Sequence, residues 1–281
     1  MSAEDRLTER GQSERGVGIQ SVRRALLILE LFSERRPALT MSEIAELTGL
    51  NRATSYRFCQ TLLNLGYLEE ADERRLRPGL RAVSLARAAL SSHELPELAL
   101  PHLRELRNVT GETVNLALLD GSEVVYVSRL LSEDLLALRL FVGSRLPAYA
   151  SSLGRAMLAF LPEDEVEVIL DGHEMRSITE YTIVDRNRLM TELRRIRRRG
   201  YAINNQELVI GICGVAAPVF GVSGRPIAAI NVSLTRVPER DEIDSRLAPQ
   251  VVDAAHAVSE LATQLAVDVA TPARVLGQGG R

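Results

Sequence analysis

The chain has 281 residues, 46% of them hydrophobic, and a formal net charge of −3 at pH 7. That is enough material for two cores, and too acidic a balance for a protein that coats nucleic acid by bulk charge. No apolar run approaches the length of a membrane span, the opening MSAEDRLTERGQSERG is polar rather than signal-like, and the two cysteines, Cys59 and Cys213, fall in separate predicted domains; a cytoplasmic protein without a disulfide framework is expected.

Residues 1–18 are expected to be disordered, as is a flexible tail over 269–281. A first helix is expected from 22 to about 36, with Ala25, Leu26, Leu29 and Phe32 as its buried stripe and Pro37 closing it. The stretch MSEIAELTGLNRATSYRFCQTLLNLGYL, residues 41–68, then predicts two short helices around a tight Thr48-Gly49 turn. Ser42 is the expected cap of the first, Ile44, Ala45 and Leu47 its apolar stripe, and Leu50 the plug of the corner. Asn51 is the expected cap of the second, with Ser55, Phe58, Leu62 and Leu65 facing the protein and Arg52, Thr54 and Arg57 facing away.

That outer face suits a duplex, because arginine pairs bidentately with guanine or clamps phosphate, and threonine offers a hydroxyl to phosphate and a methyl to thymine. An ordinary helical hairpin with a solvated basic edge has the same pattern. Residues 67–78 predict a hairpin with a charged tip, completing a winged helix-turn-helix over 19–79. Arg74, Arg75 and Arg77 are placed to reach phosphate beside the groove, opposed by Glu69, Glu70, Asp72 and Glu73.

A linker helix is expected over 80–95 and another helix over 97–108, closed by Thr110-Gly111. The pattern then turns to period two. Strands are expected at 113–118 and 123–127 around an Asp120-Gly121 turn, then at 135–141, 201–206, 213–220 and 226–234. Helices are expected at 152–160, 164–170, 186–200 and 240–267. This order predicts an α+β fold whose second domain, 96–268, is an antiparallel sheet covered by helices, similar to GAF or PAS sensor modules.

Taken together, IQSVRRALLILELF, the 41–68 stretch, TGETVNLALLDGSEVVYV, LPAYASSLGRAMLAF, RRGYAINNQEL and GICGVAAPVF resemble, in this order and spacing, the IclR family of bacterial transcriptional regulators. GLNRATSYRF and VGSRLPAYASSLGRAMLA look most like its branch that controls aromatic-acid degradation through protocatechuate and β-ketoadipate. The resemblance implies a homodimer or homotetramer that sets paired winged helices on a palindromic DNA operator, with a small organic acid bound in the C-terminal domain. It assigns DNA contacts to Arg24, Arg52, Thr54 and Arg57, to which the sequence adds Asn51 and Arg74. Where Ser55 stands, the family usually carries an aliphatic residue, and the smaller side chain is expected to loosen that helix's packing.

For the effector, Ser151 is the expected cap of an apolar helix whose exposed N–H groups attract a carboxylate. The resemblance maps the acid onto the backbone N–H groups of Ser152 and Leu153 beside Gly154, and other pocket positions onto Asn204, Gly214, Asn231 and Ser233. Asn204 and Asn231 also read as turn and sheet amides with satisfied hydrogen bonds. Many relatives carry aspartates in place of Asn204-Asn205 and arginine in place of Cys213, so a dicarboxylate or aromatic acid is expected over glyoxylate or another small 2-oxo acid. Arg139, Arg145 and Arg155 lie near the segment, with surface roles expected.

No metal site, cofactor or catalytic residue is expected. Cys213 has no histidine placed beside it among His93, His102, His173 and His256 and reads as a small buried hydrophobe; GxxxxGK[ST] and GxGxxG are absent. The arginines at 194, 195, 197, 198 and 199 read as a solvated face or intersubunit ion pairs. The alternatives to a ligand-responsive regulator are an enzyme with an accessory DNA-binding domain and an architectural DNA protein.

Overall fold

The structure, a computed structural model, describes residues 19–33, 36–91, 94–132, 140–171 and 174–267. It divides into two compact units, Met1–Ser92 and His93–Arg281. The expected disordered ends, most of the expected strand at 135–141 with Arg139, and His93 and His173 lie outside the described residues.

In the first unit the order is α1 (Gln20–Glu30), β1 (Leu39–Thr40), α2 (Met41–Thr48), α3 (Arg52–Asn64), β2 (Leu68–Ala71), β3 (Arg75–Pro78) and α4 (Leu80–Ser91). Helix α1 stops earlier than expected, because Ser33 and Arg36 exchange backbone hydrogen bonds of 3.1 and 2.9 Å and turn the chain before Pro37. The cap of α2 is Thr40, not Ser42. Glu43 N donates to Thr40 Oγ1 at 3.3 Å and Thr40 N donates to Glu43 Oε2 at 2.7 Å, a reciprocal box that also holds the Glu43 carboxyl below the usual carboxylate range. Gly49, at φ 66°, ends α2 in the left-handed region, and Asn51 Oδ1 caps α3 by accepting from Thr54 N at 2.8 Å, both as expected.

Ile28, Leu31, Leu39, Ile44, Cys59, Leu62, Leu68 and Leu76 make the core of this unit. Ala25, Leu29, Phe32 and Phe58 pack on it only partly buried, and two residues expected inside, Leu26 and Leu65, are 53% and 55% exposed. The wing is a three-stranded sheet of order β1-β3-β2 rather than a bare hairpin. Glu69 stands opposite Arg77 in its register and pairs with it at 2.7 Å, which neutralises one of the arginines expected to face phosphate.

The second unit runs α5 (Leu95–Thr110), β4 (Thr113–Asp120), β5 (Glu123–Leu130), β6 (Arg145–Pro147), α6 (Ser152–Leu158), α7 (Glu163–Leu170), α8 (Arg186–Arg199), β7 (Ala202–Asn205), β8 (Cys213–Phe220), β9 (Pro226–Leu234) and α9 (Ala248–Gln264). Among the described residues six strands form one antiparallel sheet, β6-β5-β4-β9-β8-β7. The fold is thus α+β, as expected. Strand β6 is an addition to the expected set. The expected helix at 240–267 is interrupted: a short turn, Arg240–Glu242, and a π-helical turn, Ile243–Leu247, precede α9.

Both faces of the sheet are covered. Helices α5 and α9 bury Leu95, Ala99, Leu103 and Leu106, and Val251, Ala255 and Val258, over one face. Helix α6, buried along its whole length, lies on the other with α8 packed against it. Among the described residues no helix is long and apolar enough to cross a membrane.

Arg155 corrects the expectation of a surface role. It is 1% exposed, its Nε donates to the Tyr149 carbonyl at 2.7 Å, and its Nη2 pairs with Glu207. Glu207 Oε2 also accepts from Ile183 N at 3.3 Å, and the Glu207 carbonyl accepts from Thr182 Oγ1 at 2.7 Å. One ion pair therefore ties α6, the loop before it and the segment before α8 to the turn after β7. Several α8 arginines are likewise used within the chain. Arg197 Nε and Nη2 donate to the carbonyls of Ala159 and Leu161, both at 2.5 Å; Arg194 pairs with Glu163 at 2.8 Å and Arg199 with Glu192 at 3.0 Å.

A buried ion is costly once its partner is gone. Arg155→Ala should cost the second unit about 3–5 kcal/mol, read by urea unfolding of the full chain. Arg155→Met combined with Glu207→Leu should recover most of that loss, because no uncompensated charge stays inside.

Candidate functional sites

The outward face of α3 is set by what its other face buries. Ser55, Cys59 and Leu62 point into the core, so Arg52, Ala53, Tyr56 and Arg57 point away, with Tyr56 55% exposed. Together with Met41 and Ser42 of α2 these four residues line a cleft of 450 Å³. Arg52 and Arg57 are therefore where the sequence placed them. Thr54 is not on the centre of this face: it is half-buried, and its N–H is taken by the cap. Tyr56, one residue before Arg57 and three after Ala53, was missed, although helical spacing alone puts it there. Asn51 is exposed with its oxygen committed to the cap, Arg24 is half-buried on α1, and Arg74 sits exposed at the wing tip with φ 60°.

Ser55 is fully buried, and its hydroxyl finds no hydrogen-bond partner among the described residues. A buried hydroxyl without a partner is a standing cost.

In the second unit the register of the sheet assembles the expected effector residues. Ser233 of β9 pairs with Gly214 of β8, and Gly214 with Asn204 of β7. One row away, Asn231 of β9 pairs with Asn115 of β4. Alternation then puts all five on the face that α6 covers. Ser152, at the start of α6, reaches this strip: a Cβ on Gly214 would stand 2.8 Å from Ser152 Oγ. Gly154 is forced by a closer approach, since a Cβ there would overlap the Ala148 backbone.

The side chains are hydrogen-bonded to one another. Asn115 Nδ2 donates to Asn231 Oδ1 at 2.8 Å, and Asn231 Nδ2 donates to Ser152 Oγ at 3.3 Å. Arg129 of β5 donates through Nη1 to Asn115 Oδ1 at 3.4 Å. Asn115 and Arg129 escaped the sequence reading. Asn204 has a structural task, because its Nδ2 donates to the Ala150 carbonyl and its Oδ1 accepts from Glu207 N at 3.3 Å. Ser151 occupies the capping position of α6 in extended backbone, but its hydroxyl makes no capping bond. Leu153 is wholly buried.

Other groups serve elsewhere. Arg145 pairs with Asp120 at 2.6 Å and Glu123 at 2.8 Å. Cys213 is buried, its thiol donates to Asn205 Oδ1 at 3.3 Å, and burial pushes that thiol up, which disfavours the thiolate a nucleophile needs. Its neighbourhood is a cavity of 510 Å³ at the β7 edge, lined by Arg155, Arg195, Arg199, Asn205, Glu207 and Cys213 among others. Among the described residues no group of three His, Cys, Asp or Glu is placed to hold a metal ion.

Removing the stranded hydroxyl should help the fold. Ser55→Ala is expected to stabilise the first unit by about 1 kcal/mol, seen as a higher midpoint in guanidinium unfolding of the full chain; destabilisation would mean that the hydroxyl is bonded.

Comparison with known proteins places both units. Residues 21–72 match the IclR helix-turn-helix domain and residues 87–260 the bacterial transcriptional regulator IclR C-terminal domain. The HTH-type transcriptional regulator XynR of Escherichia coli (strain K12) is 35% identical over 218 residues, covering 76% of this chain and 86% of XynR. The Pca regulon regulatory protein of Pseudomonas putida is 33% identical over 232 residues, covering 82% of this chain and 79% of that protein. Among crystal structures, the Thermotoga maritima IclR superposes with a TM-score of 0.67 at 28% identity, covering 88% of this chain and 100% of that one. An IclR homolog from Microbacterium hydrocarbonoxydans, complexed with 4-hydroxybenzoate, does so with a TM-score of 0.74 at 26% identity, covering 87% and 99%. With a helix-turn-helix unit and an effector-binding unit both matched in chain order, the chain belongs to the IclR family and is a DNA-binding transcriptional regulator.

Proposed function

We propose that this regulator reads a palindromic operator as a dimer or tetramer through α3, and that an aromatic or dicarboxylic acid bound on the α6 face of the sheet controls it. The observation that carries the DNA half is the outward presentation of Arg52, Ala53, Tyr56 and Arg57 by a capped helix whose opposite face is core. Arginines supply bidentate base or phosphate contacts, Ala53 a methyl for thymine, and Tyr56 a phenol for phosphate. Arg24, Asn51, Thr54 and Arg74 are the flanking contacts of this reading. Exposed apolar side chains on α1 (Val22, Leu26), preceded by Ile19, and on α4 (Leu80, Val83, Leu85) favour a second copy against the first unit.

The effector half rests on Ser152 of α6 and the strip of Asn115, Asn231, Ser233 and Gly214 beneath it, with Leu153, Gly154 and Asn204 as its flanking residues. The two asparagines at 204 and 205 leave the sheet edge without the acid groups that would repel a second carboxylate. Likeness to the Pca regulon regulatory protein and to the 4-hydroxybenzoate-bound homolog supports an aromatic acid over a small 2-oxo acid. Binding alters operator affinity by the acid's differential affinity for two states of the regulator.

Two measurements test this. Arg57→Ala should lose about 1–3 kcal/mol of binding to the specific operator in a polarisation titration, and an unchanged affinity and footprint would remove Arg57 from the reading face. In a thermal-shift screen of the full chain against protocatechuate, 4-hydroxybenzoate, β-ketoadipate, phthalate, glyoxylate and pyruvate, one of the first four should raise the melting temperature. A shift with glyoxylate or pyruvate alone overturns the effector class.

A further inference from the structure

Four side chains in the second unit form a chain of hydrogen bonds with one direction. Arg129 Nη1 donates to Asn115 Oδ1, Asn115 Nδ2 to Asn231 Oδ1, and Asn231 Nδ2 to Ser152 Oγ. An asparagine amide can be turned either way, so an isolated pair of them has no fixed polarity. A guanidinium carries donors and no acceptor. With Arg129 at the end, the oxygen of Asn115 must face it, the nitrogen of Asn115 must face Asn231, and the nitrogen of Asn231 must face Ser152. The serine oxygen is thereby used as an acceptor, and its proton remains to be given to a third group.

The setting keeps this direction from being lost. Asn115, Asn231 and Ser152 are 1%, 4% and 3% exposed, so bulk water does not compete for them, and bonds in series polarise one another. Arg129 joins them through an irregularity in β5: Leu116 pairs with Ser128 but Ala117 pairs with Tyr126, so Val127 is an extra residue. The bulge brings Arg129, rather than Ser128, onto the face that carries Asn115. Gly214 leaves room for Ser152 Oγ over the sheet, where any larger residue would press on it.

We propose that Arg129 is a positioning residue of the effector site: through Asn115 and Asn231 it presets Ser152 Oγ as a hydrogen-bond donor, and so makes the site prefer an acid to the matching amide. This rests on the reading that the effector's acid group meets Ser152. A carboxylate oxygen can only accept, so a preset donor costs it no reorganisation. The matching amide can offer that donor only a neutral carbonyl oxygen, and a hydrogen bond to a charged oxygen is the stronger one.

The test is titration calorimetry on the full chain with 4-hydroxybenzoate and 4-hydroxybenzamide. The unmodified protein should bind the acid more tightly than the amide. Asn115→Asp cannot donate to Asn231, which then turns its nitrogen toward position 115 and its oxygen toward Ser152, so the serine proton is drawn away from the ligand. The acid-to-amide affinity ratio should fall about tenfold or more, the size of one hydrogen bond to a charged group. Arg129→Lys keeps a donor and should retain the ratio, whereas Arg129→Met should lose part of it. In a Ser152→Ala background neither Asn115→Asp nor Arg129→Met should change the ratio further. The same fall in that background would mean direct charge effects on the ligand and would overturn the relay alone. Acid affinity untouched by Ser152→Ala overturns the placement of the acid, and the relay with it.

Discussion

A sheet covered on both faces must satisfy every polar side chain it carries, and the register of β4, β9, β8 and β7 decides where those side chains meet. Residues far apart in sequence, Asn115, Asn204, Gly214, Asn231 and Ser233, become neighbours only because the strands are antiparallel and in this alignment. A slip of one residue in β9 would send Asn231 and Ser233 to the opposite face, against α5 and α9, and away from Asn115 and Ser152. The polar strip and the glycine at 214 beneath Ser152 both depend on that alignment.

The cover over the strip is held by polar means as well as apolar ones. The Arg155–Glu207 pair and the Asn204 amide bind the loop before α6 to the turn after β7. Arg197 closes the other end of α6 by serving the carbonyls of Ala159 and Leu161. Helix α6 is too short to be stable by itself. Its position is defined by these bonds and by the glycine at 154, so it is an element with few ways to move. On the proposed reading, that rigidity is why an acid held at Ser152 would shift the regulator between two states rather than soften it locally.

The first unit solves a different problem with simpler means. Among the described residues a small core cluster of eight supports α3, and capping at Thr40–Glu43 and Asn51 fixes where α2 and α3 begin. The outward face of α3 needs no network of its own, because an arginine on a helix surface is available once the opposite face is buried. Ser55 is an imperfect position, with a hydroxyl inside the core and no partner for it among the described residues.

What could be read directly from the sequence is what depends on short-range periodicity and local sterics. The helix-turn-helix, its Gly49 and Asn51 punctuation, the outward Arg52 and Arg57, the Asp120-Gly121 turn and strands β4, β8 and β9 are all of this kind. Even some errors were locally correctable: Thr40 and Glu43 have capping-box spacing, and Tyr56 follows from the same helical period as Arg57. The tertiary structure alone decided the rest. A third wing strand, the burial of Arg155 against Glu207, and the arrival of Arg129 beside Asn115 through one extra residue in β5 depend on pairings between distant segments. Such pairings have no local signature, since the free energy that selects them comes from burial and hydrogen-bond satisfaction across the assembled fold.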